Sequence, residues 1–96
     1  MRFLAAVMCG LVVGCVHANN VLVDDFNLDQ AQWLQDQSAL SSRASFELGC
    51  PEPQLTFRVI ARLRSFPRAS QVGVMGCEKK LVFINSNSGW VLNSAR

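Results

Sequence analysis

Leu55-Thr56-Phe57-Arg58-Val59-Ile60-Ala61-Arg62-Leu63-Arg64 alternates residue by residue. A period of two puts successive side chains on opposite faces of a strand. The stretch therefore predicts a strand with Leu55, Phe57, Val59, Ala61 and Leu63 buried and Thr56, Arg58, Ile60, Arg62 and Arg64 on a wet face. Ser65-Phe66-Pro67-Arg68-Ala69 turns the chain, and Gln71 to Met75 makes a second strand. Glu78-Lys79-Lys80 reads as a tight connection to Leu81-Val82-Phe83-Ile84, and Asn85-Ser86-Asn87-Ser88-Gly89 as a further turn before Trp90-Val91-Leu92. The second half of the chain is thus expected to be an antiparallel meander of three or four strands.

Upstream of Cys50 the period lengthens. Leu40, Ala44 and Leu48 follow at steps of four and mark one face of a helix, with Leu28, Ala31, Trp33 and Leu34 among its apolar positions. Gln30, Gln32, Gln35, Asp36 and Gln37 are assigned to the wet side. Asn27 is the expected N-cap, with Gln30 placed to complete a capping box and Asp29 suited to the positive end of the helix dipole. The helix is expected from near Leu28, with a weak place at Ser41-Ser42, until Gly49 caps it and Pro51 forbids continuation. Phe46-Glu47-Leu48 also fits a short strand. Val21-Leu22-Val23 fits a short strand, a docking arm or a leader, so residues 19–27 are read as leader or tether and 28–96 as the domain. Trp33 and Trp90 are expected between helix and sheet, because so small a core needs large side chains inside.

Residues 1–18 carry Arg2, an apolar run from Phe3 to Val13 and the small residues of Val16-His17-Ala18, the pattern of an export signal. The run is too short for a membrane span, which needs about 20 apolar residues. Two cleavage sites compete. Val12-Val13-Gly14-Cys15 resembles a lipobox, which ends the signal at residue 14 and leaves an acylated Cys15 as membrane anchor. Val16-His17-Ala18 resembles an ordinary site that leaves Asn19 first. The protein is therefore expected in the periplasm or on the outer membrane as a lipoprotein, or else secreted.

Beyond the signal, Cys50 precedes the first strand and Cys77 ends the second. Those two ends lie side by side in an antiparallel hairpin, and an oxidising compartment favours their bond. A turn near Pro67 sets Cys77 opposite residue 57, so the segment from Cys50 to Pro53 must fold back to bring the sulfurs together. The expected fold class is α+β: an N-terminal helix on a meander stapled by Cys50 and Cys77.

Charge is divided along the chain. From Asn19 to Glu52 there are six acids and one base; from Pro53 to Arg96 there are seven bases and one acid. The total is too balanced to indicate a nucleic-acid partner. Arg58, Arg62 and Arg64 share a strand face and, with Arg68, Lys79 and Lys80, are the candidate binding residues for an anionic envelope component or an acidic protein. The alternative is an acidic helical half neutralising a basic sheet half. The only histidine is His17, within the signal, and tyrosine is absent. Triads, imidazole proton shuttles and histidine zinc sites are excluded downstream of it. Asp24-Asp25 reads as a solvated pair rather than a glycosidase dyad. No catalytic residue, metal site or cofactor is expected.

Leu48-Gly49-Cys50-Pro51 with Gln54-Leu55, then Val72-Gly73-Val74-Met75-Gly76-Cys77 and a strand ending in Trp90-Val91-Leu92-Asn93, resembles a group of small exported bacterial proteins, many like lipoproteins, without assigned activity. That pattern carries Gly-Cys-Gly and a tyrosine in the next strand, where Glu78 and Phe83 stand here. The resemblance implies a helix followed by a disulfide-clasped antiparallel sheet, and transfers no catalytic residue. The expected role is a non-enzymatic envelope interaction or accessory module. Alternatives are a secreted inhibitor or effector that inserts Ser65 to Ser70 or Asn85 to Gly89 into an enzyme, and a small-ligand carrier.

Overall fold

The computed structural model describes residues 19–95. The expected signal, Cys15 and both candidate cleavage sites lie outside the described residues. Strand β1 (Asn20–Val23) and strand β2 (Phe26–Asp29) form an antiparallel hairpin, followed by helix α1 (Gln30–Leu48) and a 3-10 turn at Glu52–Gln54. Strands β3 (Thr56–Arg62), β4 (Ala69–Gly76), β5 (Lys79–Ser86) and β6 (Gly89–Ala95) make a four-stranded antiparallel meander in chain order. The α+β class, the meander and the Cys50–Cys77 bond agree with the sequence reading.

The first hairpin shifts the helix start. Asn20 pairs with Asp29, so Asn27 and Leu28 are held in β2 and the helix begins after them. Asp29, not Asn27, is the N-cap, its carboxylate accepting from the Gln32 N–H at 2.9 Å. The turn between β1 and β2 is Asp24-Asp25, both with positive φ, as a two-residue hairpin turn that matches strand twist requires. Asp24 also reaches the sheet, accepting from the Val59 N–H at 2.8 Å. The segment read as a leader is therefore paired into the fold.

Helix α1 runs unbroken through Ser41-Ser42 and through Phe46-Glu47-Leu48. Trp33, Asp36, Leu40, Ala44 and Leu48 are its buried residues, while Ala31 and Leu34 are exposed. Gly49 ends it at φ 63°, the left-handed conformation that favours glycine. The buried helix face meets Leu55, Val59, Val72, Val74, Leu81 and Phe83 from the inner face of the sheet. Alternation in β3 is as expected: Leu55 and Val59 are buried, Phe57, Ala61 and Leu63 half-buried, and Thr56, Arg58, Ile60, Arg62 and Arg64 exposed. Trp33 lies edge-on to Phe57 with ring centroids 6.5 Å apart, while Trp90 is half-buried at the core's margin.

The register differs from the expected one. Phe57 pairs with Val74 rather than with Cys77, because the β3–β4 connection occupies residues 63–68 and is centred between Ser65 and Phe66 rather than on Pro67. Cys77 and Glu78 instead form the two-residue turn between β4 and β5, and Lys79 and Lys80 belong to β5 rather than to the connection. The 3-10 turn, closed by Leu55 N–H to Glu52 O at 3.0 Å, folds Cys50 back over the sheet end. Its Cα comes to 5.8 Å from that of Cys77. The chain must pass closely here: a Cβ on Gly76 would lie 2.7 Å from Leu55 and 2.9 Å from the Cys50 sulfur.

Cys77 and Glu78 both hold positive φ, at 50° and 67°. A side chain in that region costs about 1–2 kcal/mol, partly offset by the freedom a glycine loses on folding. Glu78→Gly is expected to stabilise the protein by about 0.5–1 kcal/mol in urea unfolding. A decrease would show that the glutamate makes a compensating contact.

Candidate functional site

The inner face of the sheet is filled by the helix, and the outer face is where the sequence placed its bases. The register arranges that outer face in rows. Thr56, Met75 and Lys80 lie across it at the disulfide end, Arg58, Gly73 and Val82 form the next row, and Gln71, Ile84 and Val91 lie beyond them, level with the β3 bulge at Ile60. Ile60 and Val91 are 44% and 49% exposed, and Met75, Val82 and Ile84 half-buried. Among the described residues no helix or strand covers this face: α1 packs on the opposite side, and the first hairpin lies beside β3. It is an apolar strip with Arg58 at one margin and Lys80 at one end.

The candidate bases do not form one cluster. Arg58, Arg62, Arg64, Lys79 and Lys80 are all exposed. Lys79 and Lys80 border an open depression of about 530 Å³ with Thr56, Met75 and Glu78, at the disulfide end. Arg62 is drawn sideways, its Nε donating to Asn27 O at 3.1 Å and its Nη1 to Leu63 O at 3.0 Å. Arg64 follows β3 into the connection at the opposite end from Lys79.

Arg68 belongs to the other side of the sheet. It forks onto Asp36, with Nη2 donating to Oδ1 at 2.8 Å and Nε to Oδ2 at 3.2 Å. Asp36 is only 3% exposed and also accepts from Gln32 Nε2 at 3.1 Å and Trp90 Nε1 at 3.4 Å. The Arg68 guanidinium stands 6.0 Å from the Trp90 ring centre. One buried carboxylate thus ties together the helix, the β3–β4 connection and strand β6. The assignment of Asp36 to the wet side is corrected. A signal was present: counting back four from Leu40 on the row that continues through Ala44 and Leu48 lands on Asp36.

Beside this network lies an open cleft of about 570 Å³ between the helix start, the β3–β4 connection and the β5–β6 turn. Gln32, Leu63, Phe66, Arg68, Asn85 and Asn87 line it, so the two loops named as candidate insertion loops border the same cleft. Phe66 is 64% exposed. Asp29 N–H donates to Pro67 O at 2.7 Å and Gln30 N–H to Asn19 O at 2.8 Å, which joins this connection to the start of the described chain.

Among the described residues there is no group of three metal-ligating side chains and no helix long and apolar enough to cross a membrane. No family model matches the chain, and no curated protein or solved structure matches it significantly.

Proposed function

We propose that this chain is an exported, non-enzymatic binding module of the bacterial envelope that meets an anionic partner through the outer face of its sheet. The observation that carries the reading is that face itself: Ile60, Val82, Ile84 and Val91 lie in an uncovered strip beside the exposed Arg58 and Lys80. A solvated sheet face has no need of an apolar strip, whereas a binding face combines an apolar centre with a polar or charged rim. The export signal and the resemblance to small exported proteins support the compartment, and a disulfide suits it.

Lipopolysaccharide is the probe for the anionic partner. Arg58→Ser with Lys80→Ser removes two exposed charges that make no hydrogen bond among the described residues, so folding should be unchanged. At about 1 kcal/mol per base near an anionic surface, the pair should weaken binding by roughly 25-fold at low salt, measured by titration calorimetry. Unchanged affinity in a folded double variant would remove the sheet face from the account.

A further inference from the structure

The end of the molecule opposite the disulfide gathers features that the sheet-face reading leaves unused. Phe66, a large aromatic, is mostly exposed at the tip of the β3–β4 connection. Arg64 and Ser65 precede it, and Pro67 follows with its carbonyl held by the Asp29 N–H. The β5–β6 turn, Asn87-Ser88, presents uncharged polar side chains beside the same cleft. The acids near this tip are already engaged: Asp29 caps the helix and Asp36 holds Arg68. The positive end of α1 points the same way. The fully exposed charge at the tip is that of Arg64.

Asn19 is also at this end, its carbonyl accepting from Gln30 N–H. The sequence continues back from Asn19 through four residues to Cys15, and then to the apolar run from Phe3 to Val13. Four residues reach at most about 14 Å, so an anchor at Cys15 would hold Asn19, and with it this end of the domain, within that distance of the bilayer.

We propose that the tip around Arg64 and Phe66 is a bilayer-contacting surface, Phe66 entering the interface between head groups and acyl chains while Arg64 pairs with anionic lipid phosphates. A large apolar ring beside a base is a residue combination that suits this interface. The inference rests on the export reading but uses a surface distinct from the Arg58 and Lys80 face.

The form expected from cleavage after Ala18 begins at Asn19 and carries no acyl group that would mask the effect. Its sedimentation with phosphatidylglycerol-rich vesicles at low salt is measured against phosphatidylcholine vesicles. Binding to the anionic vesicles is expected, weakened about fivefold by Arg64→Ser and at least as much by Phe66→Ser. Near-ultraviolet circular dichroism confirms that each variant keeps the fold. No vesicle binding by the parent chain, or binding unaffected by both tip substitutions, overturns the proposal. Loss only on replacing Arg58 and Lys80 would also overturn it, and would assign the membrane to the sheet face instead.

Discussion

Replacing Cys50 or Cys77 by serine is expected to unfold the protein at 37 °C or bring it close to that point. The bond closes a span of 27 residues, for which the chain-entropy model gives about 3–4 kcal/mol. A domain this small has a stability of only about 5 kcal/mol or less from its core, so the loss removes most of it. Position adds to the effect. Cys50 is buried in the core beside Leu55, so serine there also places a hydroxyl among apolar groups. Cys77 is exposed in a turn of positive φ. Cys50→Ser should therefore cost more than Cys77→Ser, and both more than reduction of the parent protein in which the thiols remain. Thermal melts of the three forms beside the oxidised parent check the order, and melting of all three at the oxidised parent's temperature would show that the clasp contributes little.

Arg68→Met is expected to cost about 3–5 kcal/mol, the second large effect. It leaves the Asp36 carboxylate, 4% exposed at its side chain, buried without its counter-ion. Asp36→Leu should cost less, about 2–3 kcal/mol, because the Arg68 side chain is 34% exposed and water can reach it, while Trp90 Nε1 and Gln32 Nε2 lose an acceptor. Combining the two substitutions should recover much of the Arg68→Met loss, since an apolar pair of similar volume has no charge to desolvate. Denaturant unfolding of the four forms gives the coupling energy. A double variant as unstable as the sum of the singles would mean that Asp36 and Arg68 act separately.

The meander was legible because its signal is local. Alternation from Leu55 to Arg64 needs no knowledge of the partner strand, and Gly49 with Pro51 announces the end of the helix on its own terms. What escaped depends on distant pairing. Asn27 is a good N-cap in isolation, but Asn20 pairing with Asp29 carries β2 past it. Asp24 and Asp25 read as a solvated pair until the turn they make brings Asp24 to Val59. Arg68 belongs by composition with the other bases; only the length of the β3–β4 connection turns it inward to a carboxylate 32 residues away. The same connection displaced the register that set Cys77 opposite Phe57. Of the candidate site, the exposure of Arg58, Arg62 and Arg64 was readable from period two, whereas the apolar row of Ile84 and Val91 needed the β5–β6 register.

Export and the Cys50–Cys77 clasp are the premise of every functional statement above. Both are tested at once by the intact mass of the protein isolated from its native cell, before and after reduction. The account predicts a chain beginning at an acylated Cys15 or at Asn19 that gains two hydrogen atoms on reduction. A chain beginning at Met1, with Cys50 and Cys77 already reduced, would contradict it.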